Sequence, residues 1–174
     1  MFEFFSFKIS AALLNKASKQ YNVNMTIKTV LAAYEDVEAM ANLLAELFNQ
    51  EVEFVPHREK QVSALNEILE NPAVGTLIVA KQDNVCVGMI LVLYTVSTAL
   101  GGRVGILEDM IVSPEKRGAG IGKLLIEAAL AQAKSNGCKR ITLLTDTDNY
   151  SAHRFYEQAG FTRSNMVPFR IDLA

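Results

Sequence analysis

The segment from Val112 to Lys123, Val-Ser-Pro-Glu-Lys-Arg-Gly-Ala-Gly-Ile-Gly-Lys, sets Gly118, Gly120 and Gly122 between two cations, Arg117 and Lys123. Glycines ahead of a helix let backbone N–H groups converge on an anion, and the helix N-terminus adds partial positive charge. In chemical terms this is a cradle for a diphosphate. Two common phosphate loops do not fit it. A GxxxxGK[ST] loop would need glycine at Arg117 and Ser or Thr at Leu124. A GxGxxG fingerprint would need its last glycine one residue after Gly122, and it should open the first strand-helix-strand unit. Cys86 and Cys138 have no CxxC or histidine pairing, so they form neither a zinc site nor a disulfide framework. They read as small apolar side chains in a reducing compartment, and no metal is expected.

The cradle needs a strand before it and a helix after it, and the chain supplies both. Val104 to Val112 reads as a strand stopped by Ser113-Pro114, and a helix starting near Gly120 carries Ile121, Leu124, Leu125 and Ala128 inward. Upstream, Met25 to Leu31 is strand-like. Val37, Met40, Ala41, Leu44, Leu47 and Phe48 then make one helical stripe, and Val62, Leu65, Ile68 and Leu69 mark a second helix ended by Asn71-Pro72. Thr76 to Lys81 and Val85 to Val96 flank the turn-forming Gln82-Asp83-Asn84, a hairpin pattern. Lys139 to Thr145 is a strand, Asn149 to Ala159 a helix, and Phe161 to Leu173 supplies a last strand or hairpin. The order β-α-α-β-β-β-α-β-α-β implies an α/β fold, a single mixed sheet of about six to seven strands flanked by about four helices.

The whole chain sets bounds on function. Its 174 residues make one domain of ordinary size over 25–174, with residues 1–24 as an N-terminal extension. That extension, crowded with Phe2, Phe4, Phe5 and Phe7, reads as a packing or dimer-contact segment, which allows a homodimer. A net charge of −2 gives no electrostatic reason to expect nucleic acid or an anionic membrane. The uncharged run Val85 to Gly102 is rich in β-branched residues and contains three glycines, so it fits a strand and loop better than a membrane span. Glu3 and Lys8 interrupt any secretory leader, and the expected location is cytoplasmic.

Arg117 to Gly122 also spells RxxGxG. With Glu108-Asp-Met-Ile-Val ahead of it, and Asn149, Ala152, Phe155, Tyr156, Glu157, Gly160 and Phe161 spaced as a second signature, the chain resembles the GNAT superfamily of N-acetyltransferases over roughly residues 25 to 173. The resemblance implies a GNAT-like sheet and acetyl-CoA as co-substrate. The implied acceptor is a small-molecule or peptide amine that attacks the thioester directly. A non-catalytic module that binds or senses acyl-CoA is the alternative function.

The resemblance also implies roles for single residues. The turn Arg117, Gly118, Ala119, Gly120, Ile121, Gly122 and Lys123 would seat the coenzyme's pyrophosphate. Backbone groups of Ile111 and Val112 would pair with the pantetheine arm, in a gap where the fourth strand splays from the fifth. Asn149 either contacts that arm or simply caps its helix. Tyr156 matches the usual general acid, though its position on the buried stripe also suits plain core. A phenol of pKa about 10 can protonate a thiolate whose conjugate acid lies near 8.5. A base position of the family would fall at Ile106, which is apolar here. Glu108, two residues on, resembles a site that holds a catalytic water, or is a structural carboxylate. His57 is a weaker base candidate.

Overall fold

The computed structural model describes residues 26–50 and 54–173, so the expected extension over 1–24 lies outside the described residues. Five strands form one sheet in the order β1-β2-β3-β4-β5. They are β1 (Ile27–Leu31), β2 (Gly75–Gln82), β3 (Val85–Ser97), β4 (Gly102–Val112) and β5 (Ile141–Leu143). Neighbours from β1 to β4 run antiparallel, whereas β4 and β5 are parallel. Helices α1 (Val37–Phe48) and α2 (Arg58–Glu70) precede β2, α3 (Ile121–Ser135) joins β4 to β5, and α4 (Tyr150–Gln158) follows. This is the single mixed sheet with four helices that the sequence predicts.

Strand alternation divides the core in two. Leu77 and Val79 of β2 face Met40, Leu44 and Leu65 of α1 and α2. Ile78 and Ala80 face the other way, onto Ile121, Leu125, Ile126 and Ala129 of α3. The β2–β3 hairpin turns on Asp83 and Asn84, with φ of 50° and 66°. Two successive left-handed residues match the twist of paired strands, and Asp and Asn tolerate that conformation better than most.

Asp36 is a buried charge with two partners. Only 5% exposed, its carboxylate accepts the Ala33 N–H at 3.0 Å and meets Lys81 Nζ of β2 at 2.7 Å. It thereby fixes the entry of α1 against the sheet. That hydrogen bond raises the Lys81 pKa above its ordinary value, with the nearby negative charges adding to it and desolvation opposing it. A raised lysine pKa contributes stability fully below the unfolded value of about 10.4 and loses it as pH rises through the folded value. The pair therefore holds through neutral pH. Asp36→Ala leaves a capless N–H and a Lys81 ammonium held only by its 3.9 Å contact with the exposed Glu35. A loss of about 2–3 kcal/mol in urea unfolding at pH 7 is expected, and a loss under about 0.5 kcal/mol would show the pair to be dispensable.

The tail departs from expectation. Phe161 to Leu173, predicted as a last strand or hairpin, forms no strand. Its alternating Val167, Phe169, Ile171 and Leu173 are 71%, 95%, 81% and 93% exposed. A strand needs a neighbour's backbone as well as an alternating pattern, and β5 offers only three residues of edge.

Candidate active site

The glycine turn opens α3. Gly118 and Gly120 both have φ of +78°, and Gly120 is the left-handed residue at which the helix begins. A Cβ at either position would meet nothing within 4 Å. These glycines therefore serve backbone conformation and an open front, not packing. Leu124 N–H makes the first helical bond, to Gly120 O at 3.2 Å, so the first-turn N–H groups of Ile121, Gly122 and Lys123 face outward with no intrahelical partner. Such open, converging donors suit a diphosphate.

Gly122 answers a different need. A Cβ there would lie 3.3 Å from Met110 Cε and 3.5 Å from the Phe155 ring. Its missing side chain draws the first turn of α3 against β4 and α4 together. Ile121, the first residue of α3, has its side chain 1% exposed, which anchors the helix in the core. Ala119 is exposed between the two open glycines.

Both flanking cations can reach the turn. Arg117 Nε donates to Val112 O at 3.1 Å and Nη2 donates to Gln50 Oε1 at 3.1 Å. Its remaining N–H groups stay available to an anion. Among the described residues, Lys123 makes a long exposed pair with Glu127, 3.8 Å apart, an interaction weak enough to yield to a better partner.

Beside the turn, β4 leaves its neighbour. It pairs with β5 only through Gly105, Ile106 and Leu107, opposite Ile141, Thr142 and Leu143. From Glu108 to Val112 the strand continues along β3 alone. This parting begins at a β-bulge. Ile90 pairs with Met110 and Val92 with Leu107, so Glu108 and Asp109 together oppose Leu91.

The bulge re-aims the rest of the strand. Leu107 packs on the α3 side, whereas Asp109, two residues on, lines a cavity with Leu44, Leu65 and Leu91 on the α1/α2 side. Simple alternation, with Glu108 and Asp109 on opposite faces in strict register, does not survive here. Glu108 is exposed at the bulge.

The bulge also decides which backbone groups face the gap. Ser113 N–H donates to Val87 O of β3 at 2.9 Å. Alternation then turns Ile111 toward β3 as well, and points Met110 and Val112 to the parted edge. Of the two residues expected there, Val112 faces the gap and Ile111 is committed to the sheet. Val112 O keeps a second lone pair beside the one that Arg117 uses.

On the far side of the gap stands α4. Asn149 caps it, its Oδ1 accepting the Ala152 N–H at 3.0 Å, so the capping reading of Asn149 is realised. Tyr156 is half-buried against the α3 cluster, which Met110 and Val112 of β4 and Leu143 of β5 also join. Its ring meets Phe155 and Phe161 edge-on at 5.2 and 5.8 Å. Burial pushes its phenol pKa up, which keeps it a proton donor at neutral pH. Among the described residues, no group hydrogen-bonds its hydroxyl. Of the two histidines, His57 is exposed just before α2, and His153 Nε2 lies 2.8 Å from Asp146 O.

The residues brought together at one end of the sheet are thus the Arg117–Lys123 turn, the Met110–Val112 edge and Tyr156. Sequence reading missed Gln61, buried on α2, and the Asp109 cavity. Gln61 lies four residues before Leu65, a helical spacing that could have revealed it.

Comparison with known proteins agrees with this geometry. Residues 37–161 match the model of the Acetyltransferase (GNAT) family. The chain is 34% identical over 124 residues to the uncharacterized N-acetyltransferase YhfO of Bacillus subtilis, covering 70% of this chain and 83% of that protein. It is 27% identical to the aminoalkylphosphonate N-acetyltransferase of Salmonella typhimurium, over 77% of this chain and 84% of that one. An aminoglycoside N-acetyltransferase solved in complex with CoA shares the fold, with a TM-score of 0.73 at 19% identity over 86% of this chain and 96% of that one. A glycine turn seated beside a parted strand pair, in a chain whose family match spans most of its length, leads to one conclusion: this chain belongs to the GNAT acetyltransferase family and is an N-acetyltransferase.

Proposed function

We propose that this enzyme transfers the acetyl group of acetyl-CoA to a primary amine by direct attack. The observation that carries the reading is the open front of Gly118 and Gly120 beside the unpaired Met110–Val112 edge. Arg117, Lys123 and the first-turn N–H groups of α3 hold the diphosphate. Val112 binds the arm through its backbone, and the Met110 backbone lies where it can hold the carbonyl oxygen as that oxygen gains charge. CoA in a structural neighbour of the same fold supports the choice of co-substrate.

In the transfer a C–N bond forms and the C–S bond breaks. An alkyl ammonium, pKa about 10.4, first loses a proton, which Glu108 at the bulge receives through water. Tyr156 gives its phenolic proton to the departing thiolate, and the second proton, lost by the nitrogen as the amide forms, passes to solvent, from which Tyr156 is restored. Asn149 sets the start of α4 and so the placement of Tyr156. The free thiols Cys86 and Cys138 suit a cytoplasmic setting.

Mixing the enzyme with acetyl-CoA and a panel of primary amines should release thiol, read with a disulfide reagent, only when an amine is present. Acetyl-CoA binding by calorimetry without amine-dependent release from any panel member would favour a sensing module instead.

A further inference from the structure

Arg117 is joined to a residue far away in the chain. Gln50 lies just past the end of α1, and its Oε1 accepts from Arg117 Nη2 at 3.1 Å across 67 positions of sequence. The Gln50 backbone N–H goes to Leu47 O at 2.9 Å, so the Glu46 carbonyl in the last turn of α1 is taken by the Gln50 side-chain Nε2. Turning the amide over would set its oxygen against that carbonyl and its nitrogen against the guanidinium. Only one orientation serves both partners. Arg117 has a second acceptor on the same edge, Val112 O, which takes Nε–H at 3.1 Å. In a planar guanidinium Nε–H and one Nη2–H point the same way, and the outer N–H groups of Nη1 and Nη2 form another edge. That outer edge is engaged by no described residue.

We propose that Gln50 is a positioning residue for the coenzyme: it holds the Arg117 guanidinium by one edge so that the outer edge meets the diphosphate. The inference rests on the acetyl-CoA reading of the glycine turn. Paired N–H groups on a planar edge match two phosphate oxygens at once, which a freely turning cation does not. A long exposed side chain also loses rotamer freedom when it binds a ligand. Two hydrogen bonds from two elements, the end of β4 and the end of α1, remove that freedom before the ligand arrives. Gln50 and Arg117 are both exposed, and such bonds add little to stability. Their value lies in the direction they impose. The acceptor is a neutral amide, so Arg117 keeps its full charge for the anion, whereas a carboxylate at the same place would pair with it. Gln50 acts through Arg117 and need not touch the coenzyme.

The test measures binding to the full chain by calorimetry, with acetyl-CoA and with acetyl-pantetheine, which carries the arm and thioester but no diphosphate. Gln50→Met keeps the length of the side chain and removes the acceptor. It should weaken acetyl-CoA binding about fivefold and leave acetyl-pantetheine within about twofold of wild type. The loss should also vanish where Gln50 has nothing left to hold: on an Arg117→Ala background, Gln50→Met should change acetyl-CoA affinity by less than about twofold. A residue that merely finished α1 would act on both ligands alike and add its effect to that of Arg117→Ala. Either of those results overturns the assignment, as does acetyl-CoA affinity that stays within about twofold in Gln50→Met. Tighter binding in that variant overturns it too, because Gln50 would then compete with the diphosphate for Arg117. Should either comparison bind too weakly to follow, the other decides. A wild-type chain that fails to bind acetyl-CoA removes the acetyl-transfer reading itself.

Discussion

Tyr156→Phe should lower kcat by about 10²- to 10⁴-fold, the range typical of a lost general acid, while acetyl-CoA binds as before. The substitution keeps the ring that packs on Phe155 and Phe161, so α4 should remain in place. What goes is a hydroxyl that no described group engages and that burial keeps protonated. A group used only as charge builds on the leaving sulfur lowers kcat and kcat/KM together. The loss should be greatest below about pH 8.5, where an unprotonated thiolate is the poorer product. In the wild-type enzyme, the acid should stay effective to above about pH 10, because its pKa lies above the ordinary phenol value. Less than about a threefold fall in steady-state turnover would make Tyr156 a core residue and leave thiolate protonation to water.

Gly120→Val should weaken acetyl-CoA binding by about 10²-fold or more, on the order of 3 kcal/mol. Two effects add. A Cβ at this residue projects into the open space that the diphosphate needs. The left-handed φ of +78° is also poorly tolerated by a β-branched residue, at about 1–3 kcal/mol. The strain means that the fold is not left untouched, so a drop of a few degrees in Tm is expected alongside. Gly120→Ala, with a smaller group and less strain, should fall between. Calorimetry on a folded Gly120→Val protein with undiminished affinity would release this turn from its assigned role.

Most of the scaffold was legible because its signals are local. The stripe from Val37 to Phe48, the Asp83-Asn84 turn and the glycines at 118 and 120 each determine their own few residues of backbone. Asn149 read equally as cap or ligand contact, and the cap is a bond spanning only three residues. What escaped depends on partners distant in the chain. Nothing near Asp36 points to Lys81, forty-five positions on by subtraction of their numbers. The division of labour between Ile111 and Val112 comes from the register of β4 against β3, and register is a property of two strands. The tail shows the converse. Its alternation is strong, yet period alone makes no strand where little edge is offered.

The bulge at Glu108 and Asp109 behaves like a shift of reading frame within one strand. Before it Leu107 belongs to the α3 side, and after it Met110 keeps that side while Ile111 turns to α1. Deleting either bulge residue would restore an even count against Leu91. Leu107 and Met110, then two positions apart, would still share the α3 face, because plain alternation puts i and i+2 on one side. The extra residue therefore leaves the layering of the strand intact and changes instead its local bend, at the point where β4 parts from β5.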